Sequence, residues 1–318
     1  MIRGMPPLRL VVAVNPSAST GRRRGVGDGV VAALRDAGHT VEPLQEESHA
    51  ALVDAVRREL DRGADALVVV GGDGMVALGV DLVAGTPVGL GVVPTGTGND
   101  MARALGLPHD DVAAATRLLV HRLEQPATVI DAGRVTRGDE STWFGCMLSA
   151  GFDAVVNERA NRLRWPRGRR RYDLALALEL LALRHLSYRL EIDGVASEVR
   201  GTLVSVGNGQ SFGGGMRVLP HARLDDGMLD VLVVERLTRL QFVRLFARVA
   251  AGTHLDDPRV HVHRARRVVI ESGDVVAYAD GERIGALPVT VEVAPGALRV
   301  YGGPGLRGGA GCGADCRT

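Results

Sequence analysis

A chain of 318 residues, 46% of them hydrophobic, is long enough to build two domains with a core each. Its formal net charge of +1 gives no global field that would draw in nucleic acid. All 38 basic residues are arginine, and the absence of lysine excludes a Walker A phosphate loop, a protein-kinase site and Schiff-base chemistry. No apolar stretch is long and uncharged enough to span a bilayer. Residues 1–10 lack the apolar core of a signal peptide, so a cytoplasmic location is expected. Three cysteines make no disulfide framework. Cys146 reads as a small buried residue, and Cys312 and Cys316 fall in a glycine-rich tail that supplies no further metal ligands.

In chain order, residues 8–14 read as a strand, followed by a polar loop at 15–21 and a helix to about Ala37. A short strand at 41–44 and an amphipathic helix at 49–62 come next. A strand at 66–70 then runs into Gly71-Gly72-Asp73-Gly74, with a helix near 76–83. A strand at 88–93 runs into Pro94-Thr95-Gly96-Thr97-Gly98-Asn99-Asp100, and a helix at 110–122 closes the series. Strands alternating with helices predict a parallel, doubly wound sheet. Such sheets bind ligands outside the carboxyl ends of their strands, where the loops after Val14, Val70 and Val93 converge. Glycine there lets backbone N–H groups approach a phosphate closely. Two glycine loops at adjacent strand ends predict a nucleotide site. Asn15, Ser17, Ser19 and Thr20 of the first loop would add amides and hydroxyls, and Asp73 is a candidate for the nucleotide's Mg²⁺.

From about residue 126 the texture changes. Short β-like runs at 128–135, 188–192, 203–206, 229–234, 268–270, 275–278 and 289–293 predict an antiparallel, sandwich-like domain, interrupted by helices at 172–186 and 240–250. The expected division is an α/β domain over 6–125, a β-rich domain over 126–301 and a disordered tail over 302–318. Residues 159–172 hold seven arginines around Leu163, Trp165 and Tyr172, a composition that suits an anionic membrane surface as well as a solvated loop. His261 and His263, two apart in a strand with no third ligand nearby, are poor support for a metal.

The two glycine loops are followed, in order, by Phe212-Gly213-Gly214-Gly215-Met216, Leu224-Asp225-Asp226-Gly227-Met228-Leu229-Asp230 and Asp280-Gly281-Glu282. With these motifs the chain resembles the diacylglycerol-kinase catalytic family over residues 8–301. The resemblance implies an ATP-binding α/β domain, a β-rich domain and a cleft between them. It implies ATP- and Mg²⁺-dependent transfer of a γ-phosphate to a lipid hydroxyl, with diacylglycerol to phosphatidic acid as the first expectation, transiently at the inner face of the membrane. Asn15, Ser17, Ser19, Thr20, Gly71, Gly72, Asp73, Gly74, Thr95, Thr97 and Asn99 are the implied nucleotide-binding set, in which Asn99 and Asp100 shape the second loop and cap the next helix. A structural Mg²⁺ is implied at the Asp226 carboxylate and the carbonyls of Arg223 and Met228. A carboxylate of Asp280-Gly281-Glu282 would accept the acceptor's proton, with the choice between Asp280 and Glu282 open. The chain departs from the family pattern at Met75, Val76, Ala77 and Leu78, which stand where Thr, an apolar residue, Asn and Glu are usual. Another acceptor (a sphingoid base, ceramide or phosphatidylglycerol), a non-catalytic nucleotide- or lipid-binding regulator, and a homodimer stay open.

Overall fold

Two units divide the chain in a computed structural model that describes residues 6–15, 25–163, 165–166, 169–273 and 275–303. The first unit takes residues up to 132, 224–226 and those from 295 onward, and the second takes 133–223 and 227–294. The tail expected to be disordered lies, beyond residue 303, outside the described residues.

In the first unit, β1 (Arg9–Val14), α1 (Val26–Asp36), β2 (Thr40–Leu44), α2 (His49–Asp61), β3 (Ala66–Gly71), α3 (Asp73–Val83) and β4 (Gly89–Pro94) alternate as the sequence pattern implies. Then follow α4 (Asp100–Ala104) and α5 (Val112–Leu123). The strands run parallel in the order β4-β3-β1-β2. Every residue of β3 and β4 is buried, the signature of a sheet covered on both faces. Leu10, Val12, Val68 and Val93 pack with Val30 and Leu34 of α1 and Leu119 of α5. Register sets the site: Val14 lies beside Val70 and Gly71 beside Pro94, so the loops after β1, β3 and β4 leave the sheet side by side. At five residues α4 is too short to show a helical period, and sequence reading missed it.

The second unit is entered along β5 (Thr128–Arg137) and continues with β6 (Glu140–Phe144), β7 (Met147–Gly151), α6 (Phe152–Arg162), α7 (Arg169–Leu181), β8 (Leu186–Ile192) and β9 (Val195–Gly207). After these come β10 (Leu229–Glu235), α8 (Arg239–Val249), β11 (Val260–Ala265), β12 (Arg267–Ser272), β13 (Val276–Ala279), β14 (Glu282–Ala286) and β15 (Val289–Val300). Long β9 organises the unit. Its first half pairs antiparallel with β8, which leads on to β12 and β15, and its second half lies between β7 and β10. The change happens at Gly201, where a Cβ would lie 2.9 Å from the Val234 carbonyl and the β9–β10 register shifts. Phe144, Leu148, Tyr188, Val204, Val231, Ile270, Ala277 and Val291 from eight different strands fill the core.

Three expectations for this unit need correction. The first half of β9 went unseen because its side chains are mostly exposed, without the alternation of a half-buried strand. The helix expected at 172–186 ends at Leu181, since Leu186 already pairs with Gly201 in the sheet. The basic segment at 159–172 is in part helix α6, where Glu158 and Arg162 form an i,i+4 ion pair. Residues 295–300 of β15 belong to the first unit, where Arg299 and Val300 pair with Gly89 and Leu90.

Candidate active site

The two glycine loops of the first unit interlock through backbone and one carboxylate. A Cβ on Gly96 would lie 2.6 Å from the Gly72 Cα, and one on Gly98 would collide with the Asp73 carboxylate, so both contacts require glycine. Asp73 accepts hydrogen bonds from the backbone N–H of Asn99 at 3.0 Å and of Asp100 at 2.8 Å. It thus caps α4 across the loops, satisfying donors that a helix start leaves without partners. Sequence reasoning assigned the cap to the loop's own residues, but Asn99 makes no capping bond. Asn99 adopts a left-handed φ of 54° and is buried. Its Oδ1 accepts from the Gly96 amide while Nδ2 donates to the carbonyls of Gly96 and His109. These bonds tie Asn99 to Gly96 within the loop and to His109 beyond α4. Thr95 is buried with its amide donating to the Gly71 carbonyl, whereas Thr97 is exposed.

A depression of about 280 Å³ opens here, lined by Asn15, His49, Leu52, Gly72, Asp73, Gly74 and Met75. The Asn15 amide donates to the Val70 carbonyl, which fixes the start of its loop. Ser17, Ser19 and Thr20 lie outside the described residues. The amides of Asp73 and Gly74 belong to the first turn of α3 and have no intrahelical acceptor by helix geometry. Amides at a helix start, beside Asn15 and His49, form a donor set that fits a phosphate chain. His49 was not singled out from the sequence, and its place at the start of the helix after β2 was the available signal. Met75, Val76, Ala77 and Leu78 are all buried, and Met75 packs so closely on Gly71 that no side chain fits there. The departure from the family pattern thus places four apolar side chains in the support of the loop.

In the second unit, residues Gly145 to Met147 join two motifs. The Asp280 carboxylate accepts from the amides of Gly145 (2.6 Å), Cys146 (3.0 Å) and Met147 (2.8 Å), and the Asp280 amide donates to the Met147 carbonyl. The Cys146 carbonyl accepts from the amides of Asn208 and Gly209, which lead into the glycine motif. There Gly213, Gly214 and Gly215 all have φ between 66° and 93°, a run closed by reciprocal Phe212–Met216 backbone bonds.

Asp280-Gly281 is a two-residue hairpin turn with φ of 47° and 88°, and the same unit holds a second copy of that geometry in Asp193-Gly194 at 46° and 84°. Asp193 likewise accepts from backbone amides, those of Arg266 and Arg267. The aspartate of such a turn is an anchor in both places. Glu282, next along, opens β14 opposite Ala279, and its exposed carboxylate makes no hydrogen bond or ion pair among the described residues. Glu158 of α6 braces its hairpin, accepting from the Tyr278 hydroxyl at 2.7 Å and Arg283 Nε at 3.1 Å, and these bonds hold the Glu158 carboxyl below its ordinary range. Neither Glu158 nor Tyr278 was marked by any sequence motif.

Asp153, at the start of α6, is the opposite case. Burial pushes its carboxyl up to about 6, against the hydrogen bond it accepts from the Ala154 amide at 3.0 Å. In the arginine-rich segment, Arg159 pairs with Glu179 and Arg162 with Glu158, so two of its charges serve the helices. Trp165 and Tyr172 are exposed, and Arg171 lies over the Tyr172 ring. Arg223, Asp226 and Met228 lie in the irregular stretch before β10. No group of three or more His, Cys, Asp or Glu side chains among the described residues gathers for a metal. His261 pairs with Glu235 instead.

Residues 9–132 match the model of the diacylglycerol kinase catalytic domain, and 146–302 match that of the YegS C-terminal NAD kinase beta sandwich-like domain. A protein of Mycobacterium tuberculosis named diacylglycerol kinase is 37% identical over 296 residues, covering 92% of this chain and 94% of its own. One of the same name from Bacillus subtilis is 29% identical over 257 residues, covering 79% and 80%. Among solved structures, a diacylglycerol kinase from Bacillus anthracis superposes with a TM-score of 0.70 at 20% identity, over 93% of this chain and 97% of its own. That likeness extends to the fold.

Proposed function

The chain belongs to the diacylglycerol kinase family and is a lipid kinase, and from this premise we propose that it transfers the γ-phosphate of ATP to the free hydroxyl of a diacylglycerol, giving phosphatidic acid. The observation that carries the residue-level reading is the contrast within the Asp280-Gly281-Glu282 turn. Three amides hold the Asp280 carboxylate, and the exposed Glu282 carboxylate beside it has no partner among the described residues. Glu282 takes the proton of the acceptor hydroxyl. The hydroxyl oxygen then bonds to the γ-phosphorus as the bond to the β-phosphate oxygen breaks, and ADP leaves.

The phosphate chain is held by the amides of Asp73 and Gly74, by Asn15 and Thr97 and, in the loop outside the described residues, by Ser17, Ser19 and Thr20. Gly71, Gly72 and Thr95 set the backbone that presents them. The Asp226 carboxylate with the carbonyls of Arg223 and Met228 is an all-oxygen donor set of the kind a hard divalent cation takes, and Mg²⁺ there would brace the turn. With the nucleotide, Mg²⁺ supplies neutralisation of phosphate charge. The acceptor lies in a bilayer, so the protein works at its inner face, with Trp165 and Tyr172 as contacts.

The test is incubation with Mg²⁺-ATP and micelles containing diacylglycerol, with phosphatidic acid read by mass spectrometry. Wild type forms product, and Glu282→Gln loses about 10³-fold in kcat with ATP affinity kept. ATP binding without product from diacylglycerol or from a total lipid extract would replace this reading with that of a regulator.

A further inference from the structure

The outer face of α8 is apolar and carries arginine without any acid. Phe242 and Leu245 turn inward, with the Phe242 ring centroid 4.3 Å from that of Phe152. Leu240, Val243 and Phe246, at i, i+3 and i+6 of the same helix, face solvent at 60%, 49% and 38% exposure, and Leu181 at the end of α7 does so at 66%. The ends of the two helices are tied together. Arg239 Nη2 donates to the Leu181 carbonyl at 2.5 Å, and His185 Nε2 donates to the Leu237 carbonyl at 2.8 Å. These bonds hold the exposed Leu181 and Leu240 at neighbouring helix ends. Arg184, Arg236 and Arg244 stand near them in the chain, exposed and without a hydrogen bond or ion pair among the described residues. No acidic residue occurs at 180–190 or 236–255.

We propose that this face docks the protein on an anionic lipid bilayer, an inference that rests on the lipid-kinase reading above. The chemistry selects the occupant. Apolar side chains ringed by guanidinium groups match an acyl layer beneath anionic phosphates, with hydrophobic burial and electrostatic attraction acting together. A second copy of this chain joined through the same face would bring each free arginine against a like-charged patch, because a two-fold interface meets itself. A bilayer supplies both the apolar depth and the negative charge, and the acceptor's own location brings the protein to one.

The experiment is co-sedimentation of the full chain, without nucleotide, with vesicles of phosphatidylcholine alone or with about 30% phosphatidylglycerol. Wild type binds the mixed vesicles only, and less as salt rises. The exposed pair L240S/V243S loses at least about tenfold in partition, and R236Q/R244Q loses the salt-sensitive part. Both variants keep wild-type turnover on a water-soluble short-chain diacylglycerol. Equal binding by the variants, or no preference for anionic vesicles in wild type, overturns the proposal. So does sedimentation velocity that finds wild type dimeric and L240S/V243S monomeric, which assigns the face to self-association. Vesicle binding by wild type with no lipid phosphorylated under any condition would count against the kinase reading alone.

Discussion

Asp73 in the first unit and Asp280 in the second are the most conspicuous acids of their motifs, and both point at backbone amides. Asp73 receives two N–H groups from the end of the second glycine loop, and Asp280 receives three from Gly145–Met147 at the start of β7. Each holds two distant pieces of chain together. What they hold differs. The first unit offers backbone, in loops where Gly71, Gly96 and Gly98 leave no room for a Cβ, whereas the second offers one exposed carboxylate on a braced hairpin. The proposed nucleotide site is made of backbone and would tolerate side-chain change around it, and Met75 to Leu78 are apolar and buried beneath the loop. A site made of one carboxylate has no such tolerance.

The contrast is sharpened or broken by four substitutions. Asp280→Ala should have the largest effect on folding, about 3–5 kcal/mol, because three amides lose a charged acceptor together. A melting temperature equal to wild type would show that Asp280 is no anchor. Asp153→Asn probes a carboxylate with one amide where Asp280 has three. Its folded-state value of about 6 lies above the ordinary 3.8, so the stability it lends is complete below pH 3.8 and lost as pH rises through about 6. Denaturation of wild type and Asp153→Asn should therefore coincide near pH 4 and diverge by about 3 kcal/mol at pH 8, with the variant more stable. A constant difference across that range contradicts the burial argument.

Asp73→Ala should cost about 2 kcal/mol of stability through loss of the α4 cap and should raise the KM for ATP, since the loops then separate. A change in KM with no change in stability would instead make Asp73 a direct ligand of nucleotide or metal. Thr97→Val should have the smallest effect, about fivefold in the KM for ATP, or about 1 kcal/mol, with an unaltered melting curve. An unaffected KM removes Thr97 from the nucleotide site.

Much of the first unit was readable because β-branched runs, glycine loops and amphipathic helices follow one another at regular spacing. The second was readable as β-rich but not in detail. The exposed first half of β9 shows no alternation, and the start of α6 gave no amphipathic signal. The site followed the same division. The motif spacing marked Gly71–Gly74, Thr95–Asn99 and Asp280–Glu282, but it did not separate the anchor from the carboxylate proposed as base, since that depends on which amides fold against a carboxylate. Glu158, His49 and the Gly145–Met147 amides act through contacts distant in sequence, and no motif marks them.

The most direct test of the account is to measure kcat for phosphatidic acid formation and the melting temperature on the same preparations of Glu282→Gln and Asp280→Asn. The account predicts that Glu282→Gln keeps the wild-type melting temperature and loses about 10³-fold in kcat, while Asp280→Asn melts earlier and its activity recovers at temperatures where it stays folded. An inactive Asp280→Asn with a wild-type melting temperature, beside an active Glu282→Gln, would contradict it and name Asp280 as the base.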